Sequence, residues 1–362
     1  MCIKKLKPFL RKVKTIIVGR ASVIDMWLIR FFSLNGFLAS FYYCFISPSF
    51  YREHLSVLRG RLKYSQALDE IKTSSVLLRR NTHRLEKGLI MQPRREVFAR
   101  AYIGETVSCY RNCVNSENVN ADEMKWAKDV LIEYFSVVAQ TDKKINRARN
   151  EFEKIKSQCN DACSSLHKES KESKPYAHHD LPTTEIDFDG LVTLFQRRRS
   201  VRWYQDKSVP RDLIEQAVNA ASLAPSACNR QPYRFIFLDQ APEVKQVASF
   251  AMGTAGFNHQ LPCLFALVGD LSCYPKERDR HVIYIDASLA CMQLMLALET
   301  LGLSSCPINW PDIESRERKI SKHLNLDTHE RVVMLIASGY ASAQGGVAYS
   351  QKKTAELLLN AV

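Results

Sequence analysis

The stretch that decides the fold runs from Arg197 to Pro232. It opens Arg197-Arg198-Arg199-Ser200-Val201-Arg202 and closes Ala224-Pro225-Ser226-Ala227-Cys228-Asn229-Arg230-Gln231-Pro232. Between the two lies a helix signal. Pro210 suits a first turn, Asp212 and Glu215 sit near the positive end of the dipole, and Leu213, Ile214, Ala217, Val218 and Ala221 make an apolar face. Four guanidiniums in six residues can grip a phosphate bidentately. The closing turn offers backbone donors, a hydroxyl and two carboxamides, which suit the polar edge of a heterocycle. Alone, the stretch reads either as a cofactor site or as a charged helix end followed by a loop.

Toward the C-terminus, Tyr233 to Asp239 and Cys263 to Gly269 read as strands. Val282 to Leu301 is apolar almost all round and closed by Gly302; a helix apolar on every side belongs inside a core. Asp312 to Leu324 is a charged amphipathic helix, and Arg331 to Gly339 holds a buried strand, Val332 to Ala337. The tail from Ala341 carries Lys352-Lys353 ahead of a short helix. Helices and strands that come without strict alternation indicate an α+β domain.

Toward the N-terminus, Lys168 to Glu185 is a polar linker that marks the domain boundary. His167, His178 and His179 read as solvated residues there. From Ser56 to about Leu89 apolar residues recur at three and four, and Gly88 reads as a helix C-cap with Pro93 beyond it. The polar run Arg79 to Gly88 reads as a solvated helix end. Further helices are expected over Arg94 to Cys113, Asp122 to Ala139 and Asp142 to His167. Residues 56–167 are therefore an all-α extension ahead of a domain at 186–362. Residues 1–55 stand apart: six Lys and Arg without an acid in the first fourteen, then an uncharged run from Phe31 to Tyr51. That run is long enough to span a bilayer. It reads as a membrane-surface segment with a polybasic lead, a true span, or a helix packed on the protein.

The net charge of +13 over 362 residues favours anionic partners. Hydrophobic content of 46% excludes bulk disorder. Eleven cysteines, an odd number with no cleavable leader, point to reduced thiols and a cytoplasmic chain. Cys109/Cys113 and Cys159/Cys163 are spaced four apart, wider than the tight turns of zinc sites, so no metal is expected. No Gly-x-Gly-x-x-Gly turn follows a strand and no Walker motif occurs. Neither the Gly-x-Ser-x-Gly elbow nor His-Glu-x-x-His is present. Basic residues are not interleaved with aromatics as in an RNA-reading sheet, so no specific nucleic acid is expected.

Four segments remain in a particular order: Arg198-Arg199-Ser200-Val201-Arg202; Ala224 to Phe235; the apolar helix leading to Leu301-Gly302-Leu303-Ser304-Ser305-Cys306-Pro307-Ile308-Asn309-Trp310; and the strand to Gly339-Tyr340 followed by Lys352-Lys353. Together they resemble the FMN-dependent nitroreductase family, over roughly Ile186 to the C-terminus. The resemblance implies a nitroreductase-like mixed sheet flanked by helices. It implies a homodimer with FMN at the interface, held by residues of both subunits. Arg198, Arg199, Ser200 and Arg202 match the segment that holds the flavin phosphate and ring edge, and Lys352 or Lys353 the C-terminal phosphate-binding cation. Pro225, Ser226, Ala227, Asn229 and Gln231 match the stretch that reaches the flavin, often from the partner subunit. Pro307, Ile308 and Asn309 match the loop passing along the ring near N5; several relatives carry Glu where this chain has Asn309. Cys228 and Cys306 read as packing residues.

The implied activity is an FMN-dependent oxidoreductase in which NADH or NADPH gives hydride to flavin N5 and a small organic acceptor then takes its place. No protein acid or base is obligatory. The residues agree with it: several cations offset a phosphate dianion, the ring needs a flat slot with few polar contacts, and donors at its N1–C2 edge tune its potential. The alternatives are a flavin dehydrogenase oxidising its own substrate, and a non-catalytic scaffold with a vestigial flavin fold.

Overall fold

A computed structural model describes residues 26–66, 75–116, 119–163 and 172–359, with side chains described outside 158–163. The chain divides into two compact units, Met1–Leu55 and Ser56–Val362.

In the first unit the uncharged run is not one helix. A helical segment at 26–32 ends in a turn. Asn35 then caps α1 (Gly36–Phe41), its side-chain oxygen accepting from Leu38 N at 3.0 Å. A π turn (Tyr42–Ile46) and a 3₁₀ turn opened by Pro48 follow. Trp27, Phe37 and Phe45 are 67, 80 and 73% exposed. The basic lead lies outside the described residues.

The second unit begins with helices: α2 (Tyr51–Gln66, continuing from the first unit), α3 (Val76–Leu89), α4 (Ile103–Val114), α5 (Ala121–Val137) and α6 (Lys143–Cys163). Ser75 caps α3 and Asn120 caps α5, each accepting a backbone N–H three residues on, which satisfies donors the helix itself cannot. Leu78, Leu85, Val107, Leu131, Tyr134 and Phe152 are fully buried in one core. Two expectations change. The segment from Arg94 does not become helical until Ile103, because Pro93 and the turn after it cannot continue a ladder. Gly88 is not a cap: α3 runs through it, and a Cβ there would lie 2.4 Å from the Phe98 ring. Glycine is required by that close approach rather than by a left-handed turn. Cys109 and Cys113 are buried in the same core, with Cys109 Sγ 3.2 Å from Ser75 Oγ; the Cys159 and Cys163 side chains lie outside the described residues.

Beyond the linker the chain forms a four-stranded sheet in the order β1 (Tyr233–Leu238), β2 (Cys263–Asp270), β4 (Glu330–Gly339), β3 (Ser304–Asn309). Its ladders are antiparallel, and its mixed character comes from one parallel bridge, Ser200 to Ser305. Alternate residues face opposite sides. Leu264, Ala266, Leu335 and Ala337 pack toward α9 (Ala241–Phe250) and α11 (Glu314–His323), whereas Phe265, Leu267 and Ile336 pack toward α8 (Arg211–Ala221) and α10 (Val282–Thr300). Sheet and helices therefore make three layers, an α+β domain. α10 departs from the expectation for a helix apolar on every side. Its Ile283, Ala287, Cys291, Leu294 and Leu298 are buried, but Ile285, Leu289 and Met292 are 57, 44 and 39% exposed. One sheet covers only one side of a helix, so the other stripe stays open.

Candidate functional site

The first cluster begins at the end of α7 (Phe188–Arg197), whose N-terminus Asp187 caps by accepting from Gly190 N at 2.7 Å. Arg197 ends the helix on Glu299, at 3.0 Å. Arg198, Arg199 and Arg202 make no ion pair among the described residues. The chain then runs extended beside β3. Val201 N donates to Ser305 O at 3.0 Å, and Tyr204 OH donates to Val201 O at 2.7 Å. Gln260 clamps the segment, accepting from Tyr204 N at 2.9 Å and donating to Arg202 O. Val201 and Tyr204 are thereby buried and Arg202 is left exposed.

Pro307, Ile308 and Asn309, expected in a loop, continue from Ser305 within strand β3. An edge strand tolerates a proline, which has no N–H to donate outward. Ile308 turns into the core with Cys306, while Pro307 and Asn309 share the opposite face with Ser305. Burial pushes the Cys306 thiol up, and the neighbouring Arg202 and Arg198 only partly oppose this, so it is a neutral packing group.

The second cluster is the turn 225–232. Cys228, Asn229 and Gln231 have φ of 55, 51 and 48°, a left-handed conformation that costs a residue with Cβ about 1–2 kcal/mol. Local bonds hold it: Asn229 N to Ser226 O at 3.0 Å, Gln231 N to Ser226 Oγ at 3.1 Å, and Ala227 N to Asp286 Oδ2 at 2.9 Å. Burial raises the Asp286 carboxyl, and the Ala227 N–H, the Tyr274 hydroxyl and Arg230 oppose the rise. The Gln231 carboxamide is engaged within the chain, donating to Ser222 O and accepting from Arg79. Asn229 therefore carries the turn's unengaged carboxamide among the described residues.

The two clusters are far apart in one chain. The turn feeds β1 at one edge of the sheet and the arginine cluster flanks β3 at the other, with β2 and β4 between. α10 serves as a ruler, since Asp286 holds the turn and Glu299 holds Arg197. At 1.5 Å per residue these carboxylates are about 20 Å apart. Lys352 and Lys353 lie exposed on the tail, outside any helix or strand.

The extension supplies what sequence reasoning missed. The run Arg79 to Gly88 is not a solvated helix end. Arg79 donates to Asn229 O at 3.2 Å and to Gln231 Oε1 at 2.7 Å, and pairs with Glu123 at 3.1 Å. Glu123 also accepts from Ser75 N at 3.0 Å. Asn81 and Thr82 are fully buried, and Asn81 donates to Glu105 at 2.9 Å. Two arginines followed by buried-type polar residues on one helix face were the available signal.

Residues 195–340 match the model of the Nitroreductase family. Among curated proteins the chain is 28% identical over 180 residues to the NADH dehydrogenase of Thermus thermophilus, covering 41% of this chain and 85% of that protein. It is 23% identical over 222 residues to human iodotyrosine deiodinase 1, covering 53 and 75%. A solved FMN-dependent nitroreductase from Clostridium difficile aligns at TM-score 0.39 and 23% identity, covering 44% of this chain and 92% of that one. The likeness to the nitroreductase family lies in the C-terminal part of the chain, over residues 195–340.

Proposed function

We propose that the C-terminal domain is an FMN-dependent oxidoreductase that draws on NADH or NADPH, serves a small organic acceptor, and works as a homodimer. The observation that carries this reading is the separation of the two clusters. Their anchors on α10, Asp286 for the turn and Glu299 for Arg197, are about 20 Å apart along the helix axis. With the clusters at opposite edges of the sheet, one chain's two clusters would serve two different flavins, each completed by the partner. The exposed stripe Ile285, Leu289, Met292 on the helix joining the clusters is a suitable dimer seam.

The residues present fit FMN. Three guanidiniums that make no ion pair among the described residues suit a phosphate dianion, and the Asn229 carboxamide suits the ring's polar edge. Pro307 and Asn309 would flank the ring, and Lys352 or Lys353 would reach the phosphate from the tail. FMN, when bound, would supply the two-electron carrier between nicotinamide and acceptor. The chain's own residues bind and orient: Gln260 and Tyr204 fix the backbone of the arginine segment, and Arg79 and Asp286 fix the turn.

The purified protein should be yellow, with flavin absorbance that NADH or NADPH bleaches in the absence of air. A colourless protein that FMN cannot reconstitute would sink the proposal. Bound flavin that neither nucleotide bleaches would favour a dehydrogenase fed by its own substrate.

A further inference from the structure

The helical extension and the C-terminal domain enclose a cavity of about 590 Å³, within the range of small-molecule sites. Arg80, Arg84 and Lys87 line it from one face of α3, Arg95 from the stretch after it, Arg230 from the 225–232 turn and Arg278 from ahead of α10. The acid on its wall is Asp279. That carboxylate pairs with Arg278 at 3.8 Å, and an anion would relieve the repulsion among the remaining cations. Arg230 is only 9% exposed, and its Nε has no partner. Its guanidinium lies 4.8 Å from the centre of the Tyr274 ring, and that of Arg84 lies 3.7 Å from the centre of the Tyr102 ring. Such stacking holds the charge in place while leaving N–H groups to donate. Phe98, Met91 and Val282 add apolar wall.

We infer that this cavity binds a phosphorylated organic small molecule, its phosphate gripped by the arginines and its body lying against Phe98 and Tyr102. Planar, bidentate donors suit an oxyanion better than a halide, and several of them together suit the higher charge of a phosphate better than that of a lone carboxylate. The cavity reaches Ala227 and Cys228, on the turn assigned above to the flavin. The ligand's service as redox donor or acceptor rests on that assignment; its binding does not. Most of these cations, Arg80, Arg84, Lys87 and Arg95, come from the extension, which lies outside the family match. The extension thereby gives the site a selectivity of its own.

The test titrates full-length protein with pyrophosphate by calorimetry, alongside the variants Arg84→Gln, Arg95→Gln and, as a control away from the cavity, Arg318→Gln. Saturable binding of one pyrophosphate per chain is expected, weakened at least tenfold by Arg84→Gln and by Arg95→Gln and unchanged in the control. Arg95 is exposed, so its variant tests the site without disturbing the core. Circular dichroism checks the fold of each variant. Absent binding, or binding indifferent to both cavity substitutions, would overturn the inference. FMN content is measured separately by absorbance. Pyrophosphate binding without flavin defeats the proposed function and leaves this site standing; flavin without pyrophosphate binding does the reverse. If NADPH displaces pyrophosphate, the site serves the donor's own phosphates. If pyrophosphate stays, the site serves a phosphorylated acceptor. Either result supports it.

Discussion

Arg79→Ala tests whether the extension holds the 225–232 turn in shape. Arg79 is 17% exposed and Glu123 3%. Removing one member of a buried pair costs about 3–5 kcal/mol, and the partial exposure of the arginine argues for the lower end, near 3 kcal/mol. Two more bonds go with it, to Asn229 O and Gln231 Oε1. Those bonds oppose relaxation of three left-handed residues, each strained by roughly 1 kcal/mol or more. A turn free to relax must be re-ordered on binding, which at about 1.4 kcal/mol per decade weakens FMN about tenfold. Urea denaturation and flavin fluorescence titration measure the two effects. Glu123→Gln separates them: it should lose comparable stability yet keep Arg79 on the turn and FMN affinity near that of the native chain. A change below about 1 kcal/mol in Arg79→Ala, with FMN affinity unchanged, would refute the reasoning.

Arg199→Ala should weaken FMN by about 2 kcal/mol, one charge-assisted phosphate contact, without altering the melting temperature of the flavin-free protein; equilibrium dialysis would read it. Leu289→Glu places a charge in the exposed stripe of α10 and should convert a dimer to monomer in sedimentation, with flavin released; a flavin-loaded monomer would contradict the shared site. Asp286→Asn probes linkage. Because the folded carboxyl is raised by burial, the native state holds its proton more tightly than the unfolded chain, so native stability falls as pH rises above the ordinary carboxylate value of about 3.9. The Asn variant should match the native chain near pH 3.5 and exceed it at pH 7, read as urea midpoints; the opposite order at pH 7 would show that ionised Asp286 is needed. A chain starting at Ser56 should leave the membrane fraction if exposed Trp27, Phe37 and Phe45 dock on lipid; equal partition of both forms refutes that docking.

The domain around Arg197 to Pro232 was legible because its signals are local. Short apolar runs placed β1, β2 and β4, a period of 3.6 placed α8, and the order of the four segments pointed to the nitroreductase likeness. β3 was not legible as a strand, since Pro307 breaks the pattern and its place is set by pairing with β4. Gly88 was misread for a similar reason: its neighbour Phe98 lies ten residues on, across a turn whose path the sequence does not specify.

The sequence by itself determined most of the elements, the cationic cluster and the amide-rich turn, since these depend on residues near one another in the chain. Only the tertiary structure decided three things. The turn and the end of α7 are anchored on α10 at points about 20 Å apart. One stripe of that helix is left open. The arginines of α3 turn inward, onto the 225–232 turn and around a basic cavity. Each is a matter of which surfaces meet. Side-chain charge on a helix reads the same whether the helix faces water or a neighbouring domain, and only packing separates the two.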